Sequence, residues 1–309
     1  MTKNGVLLLK KHNFTKNIVF SLSAFLITVA LFWSCKTLPS GTKVKPLDLL
    51  QKNCDFYMAV PSKCDGQLIK RIIQNNVNNI SDGNAQMISE RVNTVYLGIN
   101  RHYKEMDLFA SIDSEVPVKM VPKLLSKKNG WDVSEYTAPA TQTKYNIYTN
   151  GELNLTFPSG DITCIGRDVS PMLEKYDAIH AIPEEEGYLE GNYSELDSSL
   201  YEWLQGASDE IRFFTGKPQA FLYTLVGANL DLKLISVQGT FTIDEKFPEQ
   251  YILNLDFNFK NEKFLKAGKV LLAMTFGLTN SQVQTLSATE LYISGIKIDK
   301  EQLYNLLVI

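Results

Sequence analysis

Histidine and cysteine are scarce in this 309-residue chain, at three and four. No HExxH, CxxC, GxSxG, P-loop or GxGxxG pattern occurs, so the usual signatures of zinc hydrolases, redox dithiols, serine hydrolases and nucleotide binders are missing. A His/Cys metal centre needs several convergent ligands. Here His102 and His180 lie far apart, with Cys54, Cys64 and Cys164 scattered around them, and neither a metal nor another cofactor is expected. Positive charge is not in excess either, with 31 Lys and Arg against 34 Asp and Glu. A nucleic-acid binder normally shows the opposite balance and a basic face, so no nucleic-acid partner is expected. Finally, only one long apolar run exists, and it is N-terminal.

That run is the most informative stretch. Lys3, Lys10, Lys11 and Lys16 precede it with no acidic residue among the first 34, and Ile18–Ser34 ("IVFSLSAFLITVALFWS") leads directly to Cys35. A basic segment, an apolar segment and a small residue before a cut site make an export signal. "LFWSC" (Leu31–Cys35) resembles a bacterial lipobox in its relaxed, spirochaete-like form, with Phe32 where the strict form carries Leu. The resemblance implies that residues 1–34 are a signal peptide, that Cys35 becomes the N-terminus and carries the lipid (palmitate), and that the protein is held in the cell envelope on the exported side. The competing reading is an uncleaved single-span anchor. The apolar run is slightly short for the roughly 20 residues a span needs, and Lys36, Lys43 and Lys45 nearly balance the lysines before it, which blurs the orientation signal. Cleavage before Cys35 would leave 275 residues, with 27 basic against 34 acidic once the four leading lysines are removed, a net charge of −7.

The remainder reads as α+β: two tandem units, each an antiparallel β-sheet packed by helices. Residues 35–50, with two prolines and a glycine, read as the lipidated cysteine and a tether. Residues 51–182 form the first unit, 183–197 an acidic linker and 198–309 the second. In the first unit, Ser62 with Asp65 has helix-start spacing ahead of Leu68, Ile69, Ile72 and Ile73. "TVYLGIN" and "MDLFASID" alternate as strands, Pro122 opens a helix over 116–128, and Asn150-Gly151 between "YNIYT" and "LNLTF" predicts a hairpin turn. Ser170 and Pro171 predict the start of a closing helix. In the second unit, strands are expected at 210–215, 221–226 and 233–243. "YILNLDFNF" places Tyr251, Leu253, Leu255, Phe257 and Phe259 on one face. Asn261 caps the next helix, with Phe264, Ala267, Leu271, Leu272 and Thr275 as its inward stripe.

The halves echo each other. "IDSEVP" (Ile112–Pro117) matches "IDEKFP" (Ile243–Pro248), and "ITCIGRD" (Ile162–Asp168) matches "ISGIKID" (Ile293–Asp299), both at an offset of 131 residues. That offset lays a strand over a helix elsewhere, so a diverged duplication and chance likeness both stand.

Candidate site residues are few. Cys35 is the lipid-attachment residue. Cys54 and Cys64 could close a short disulfide loop in an oxidising compartment, or remain semi-buried thiols, and Cys164 reads as a buried small hydrophobe. No catalytic residue can be named, and carboxylates are too frequent to single out a glycosidase-like pair. The aromatic-rich strands, with Tyr145, Tyr148, Phe213, Phe241, Tyr251, Phe257 and Phe259, either pack under helices or line a groove for a lipid, glycan or peptide. The expectation is a non-enzymatic envelope lipoprotein, in contact with the membrane through its lipid, that binds a ligand or scaffolds an envelope protein. The alternatives are an envelope hydrolase working with carboxylates on peptidoglycan or glycan, and a single-span structural protein.

Overall fold

The structure, a computed structural model, describes residues 41–307 except 77–80, 103–104, 152, 184–192, 228 and 278–280. Cys35, the signal segment and most of the acidic stretch 183–197 lie outside the described residues.

All twelve described strands belong to one antiparallel sheet, in the order β11-β12-β10-β9-β8-β1-β2-β3-β7-β6-β5-β4. β1 (Phe56–Pro61), β2 (Val92–His102), β3 (Glu105–Ser114), β4 (Asp132–Thr137), β5 (Lys144–Asn150), β6 (Leu153–Thr156) and β7 (Ile162–Gly166) come from the first stretch. β8 (Ile211–Thr215), β9 (Leu234–Ile243), β10 (Gln250–Phe259), β11 (Gln282–Thr285) and β12 (Glu290–Asp299) come from the second. The two stretches meet where β1 pairs with β8, from Phe56 opposite Thr215 to Ala59 opposite Arg212.

Among the described residues eight α-helices accompany the sheet: α1 (Ser62–Asn76), α2 (Asp82–Ser89), α3 (Val121–Leu124), α4 (Ser170–His180), α5 (Ser198–Gln205), α6 (Pro218–Val226), α7 (Glu262–Phe276) and α8 (Lys300–Leu307). Reading outward from the seam, β1-β2-β3-β7 on one side answers β8-β9-β10-β12 on the other, with helices after the first and third strand of each series. "IDSEVP" closes β3 whereas "IDEKFP" closes β9, so that sequence identity joins strands at different places in the two series. "ITCIG" and "ISGIKID" fall on β7 and β12, which do correspond.

Strand alternation divides the core. On one face, Met58 and Val60 of β1 join Phe213, Phe241, Tyr251, Leu253, Leu255, Phe257 and Phe259 in the largest cluster, beneath α1, α6, α7 and α8. On the other face, Tyr57 and Ala59 pack with Leu47, Leu50, Tyr201 and Leu204. Alongside them, Ile162 and Cys164 pack under Leu173 and Tyr176 of α4. The aromatic strand face is therefore closed: Phe213, Phe257 and Phe259 are at most 1 % exposed, and they fill the core and line no groove.

Several local expectations shift. Residues 221–226 lie in a helix, α6, because Pro218 opens it and Gly227 at φ 70° ends it. The 116–128 segment breaks into short turns around α3. Asp65 departs from helical geometry (φ −151°, ψ 84°) and caps the regular part of α1, accepting the Leu68 amide at 3.0 Å. At the start of α4 it is Asp168, and not Ser170, that supplies the accepting carboxylate, 2.9 Å from the Ser170 amide. The hairpin pairs Asn150 with Leu153, so Gly151 (φ 63°) is its first turn residue, one position later than expected.

Asn261 caps α7 as predicted, 3.1 Å from the Phe264 amide. The inward stripe, however, is Leu265, Gly268, Leu272 and Phe276, and Val270, Leu271 and Met274 face solvent at 60 %, 45 % and 72 % exposure. Gly268 decides this rotation, since any Cβ there would meet the Phe259 ring.

Cys54, Cys64 and Cys164 are free and buried. The bridge between Cys54 and Cys64 is not formed: β1 separates them, Cys54 packing on one face of the sheet and Cys64 on the other.

Candidate ligand pocket beneath the N-terminal strap

The segment read as a tether is built into the body from its far end. Val44, Leu47, Leu49 and Leu50 are all at most 5 % exposed, and a single 3-10 turn (Pro46–Leu49) lays them across the sheet. Proline opens the turn, and the Asp48 carboxylate accepts the Lys45 amide at 3.2 Å. The strap is tied down beside the end of α4. The Thr42 amide and hydroxyl both donate to the Ile182 carbonyl, at 3.0 and 2.8 Å. The His180 ring nitrogen Nδ1 lies 3.2 Å from the Thr42 carbonyl, and the ring stacks on Tyr176 with centroids 5.5 Å apart. Gly41 is required at this crossing, because a Cβ would collide with the His180 carbonyl oxygen. His180 is thus a fastener for the strap. Cys164, fully buried in β7 with its thiol pushed up to about 12 by burial, is a packed thiol and not a nucleophile.

A cavity of about 440 Å³ opens between this strap and the sheet. The strap lines it with Lys43, Lys45 and Pro46 beside the apolar Val44, Leu47 and Ile162, the strand ends contribute Asp113, Glu115 and Asp161, and Asn93, Tyr96, Tyr201 and Gln205 add polar wall. Asp113 accepts from the Asn93 side-chain amide at 3.3 Å, and burial raises both tyrosine hydroxyls above their ordinary range. Within the strap, Asp48 is 2 % exposed; burial raises its carboxyl, with the Tyr201 hydroxyl and the Lys45 amide opposing the shift. Burial likewise lowers the nearby Lys175. Among the described residues no group of three His, Cys, Asp or Glu side chains converges as a metal site.

Sequence reading assigned none of these lining residues to a site. They come from five separate segments, and the two lysines sat in a stretch whose prolines and glycine suggested a free tether. The one local signal was the run Leu47, Leu49, Leu50 at its end, an apolar cluster that a solvated tether does not need. His102, the other histidine of the exported part, ends β2.

Comparison with known proteins gives a consistent result. Residues 41–304 match the family described as outer membrane-associated lipoprotein TP0453. The outer membrane protein TP0453 of Treponema pallidum (strain Nichols) is 26 % identical over 145 residues, 46 % of each chain, so the chain spans about half the length of that curated relative. The solved crystal form I of TP0453 superposes with a TM-score of 0.64 at 18 % identity, covering 86 % of this chain and 98 % of that one. Crystal form III gives 0.61 at 18 % identity with the same coverage. These structures share the fold.

Proposed function

Because the chain belongs to the TP0453 family of outer membrane-associated lipoproteins, we propose that it is an envelope lipoprotein held to the membrane by a lipid on Cys35, and that it binds a small polar ligand in the pocket beneath the strap without catalysing a reaction. The docked strap is the observation that carries this reading. Gly41 lies only six positions beyond Cys35, and a fully extended chain of that length reaches about 20 Å. A lipid on Cys35 therefore holds the pocket wall close to the membrane surface. Concave sites with a few convergent polar groups are the usual form of ligand sites. A second surface suits the same location: α7 turns Val270, Leu271 and Met274 outward beside exposed Lys263 and Lys269, an apolar strip with cations at its edge that fits the interfacial zone of a bilayer.

A carboxylate hydrolase needs two carboxyls with raised pKa in one polar pocket. Among the described residues, the carboxyls that burial raises are Asp48, under the strap, and Asp256, on β10 in the other half of the sheet, and they make no pair. The matching order of elements on either side of the β1–β8 seam favours a diverged duplication as the origin of the sheet.

Metabolic labelling with a radiolabelled fatty acid tests the anchor. Wild type should incorporate label and its mature form should begin at Cys35, whereas Cys35→Ala should lose the label. Equal labelling of the two, or a mature protein that retains residues 1–34, would refute it.

A further inference from the structure

We propose that the pocket beneath the strap selects a short peptide with both ends free, its carboxylate held by Lys43 and Lys45 and its ammonium by Asp113 and Asp161; this rests on the ligand-binding reading of the same cavity. Charge is sorted by segment here. Both cations come from the strap, whereas the anions come from the ends of β3 and β7 and from Glu115 beside them. Charges of opposite sign facing one cavity would gain by closing on each other if they could reach. Yet among the described residues no recorded ion pair joins Lys43 or Lys45 to Asp113, Glu115 or Asp161; the ion pairs lie elsewhere, as at Lys217–Asp55 and Lys297–Asp244. The cavity thus presents cations from one wall and anions from another.

Other ligand classes fit less well. A phosphate or nucleotide would meet three carboxylates. A bare metal ion would meet two lysines, and the carboxylates do not converge as a metal site among the described residues. A hydrocarbon chain would find only Val44, Pro46, Leu47 and Ile162 as apolar wall, among polar and charged groups it cannot pair. A zwitterion satisfies both poles, because opposite charge at each end favours the ionised form of both partners. Asn93 and Gln205, each offering an amide donor and acceptor, suit the peptide units between the ends, with Tyr96 and Tyr201 as further walls. At about 440 Å³ the cavity falls in the small-ligand range and accepts two or three residues.

The test is calorimetric titration of the full-length protein in detergent micelles with trialanine, N-acetyl-trialanine and trialanine amide. Wild type should bind trialanine saturably and each capped form at least about tenfold more weakly. Lys43→Gln with Lys45→Gln should erase the discrimination against the amide while keeping that against the acetylated form. Asp113→Asn with Asp161→Asn should do the reverse, and unchanged melting temperatures should verify that both double variants fold. Equal binding of all three peptides by wild type, or variants that leave both discriminations intact, would overturn the assignment. If no peptide binds while Cys35 still takes label, the peptide assignment falls and the lipoprotein reading stands. If N-acetylglucosamine binds instead and the Lys43/Lys45 variant abolishes it, the pocket is a ligand site but not for a zwitterion.

Discussion

The two ends of the sheet are covered differently. On the β8–β12 side, β10 alternates strictly: Tyr251, Leu253, Leu255, Phe257 and Phe259 are buried, while the residues between them are half-buried on the other face. Over β10 the described helices that pack on the sheet cover the face of Tyr251 and Phe257, and the opposite side carries Asn254, Asp256 and Asn258. The β1 side is enclosed on both faces, by α1 on one and by the strap and α5 on the other, and every residue from Tyr57 to Pro61 is buried. One-sided burial writes a period of two into a sequence, and two-sided burial erases it. That is why "YILNLDFNF" reads at once as a strand, whereas "FYMAVP", the strand at the centre of the sheet, drew attention only for the cysteines beside it.

The sharpest way to break this comparison is at the seam. Phe213 is fully buried on β8, with its ring 5.7 Å from Phe56 of β1, 4.9 Å from Phe221 and 5.2 Å from Phe241. Phe213→Ala should cost about 3–5 kcal/mol in urea unfolding. If the sheet is one cooperative unit, tryptophan fluorescence and far-UV circular dichroism should shift together; separate transitions would mean that the halves fold independently.

Next comes the strap. Leu50 is 0 % exposed, so Leu50→Ala should cost about 2–5 kcal/mol, where a free tether would lose nothing. The same measurement distinguishes the two faces of α7: Leu272→Ala, fully buried, should fall in that range, whereas Leu271→Ala should stay within about 0.5 kcal/mol. Reversal of that order would restore the stripe expected from sequence.

The smallest effect concerns Asp48. Burial raises its carboxyl above the ordinary value of 3.8, so over that interval the folded state holds the proton more tightly than the unfolded chain. Its contribution to stability therefore falls as pH rises above 3.8 and is least favourable at neutral pH. Asp48→Asn, which keeps an acceptor for the Lys45 amide, should melt a few degrees above wild type at pH 7. That gap should close as the pH approaches 4, followed by thermal melts across the range.

Legibility follows the same physics along the chain. β2, β3, β5 and β10 were readable because each has one polar and one apolar side. The polar edge strands β4 ("DVSEYT") and β11 ("QVQT") were not, since neither side of an exposed edge demands apolar residues. α6 reads as a strand in sequence because "FLYTLV" is apolar almost throughout, and periodicity cannot separate a short buried helix from a strand. Of the site, Lys43 and Lys45 were noticed only as charges flanking a span, and Asp113, Asp161 and Tyr201 carried no local mark.

By itself the sequence determined the α+β character, the one-sided strands, the helix cap at Asn261, and the expectation of export resting on the run that ends at Cys35. All of these are written in residues that are neighbours along the chain, where spacing alone sets which side chains share a face. Only the tertiary structure decided that the two stretches share one sheet, that the supposed tether is a strap, and that a bipolar cavity lies beneath it. The contacts responsible join residues such as Thr42 and Ile182, 140 positions apart, or Asp55 and Thr215, 160 apart. Packing brings such pairs together once apolar faces are buried, and no local period records them.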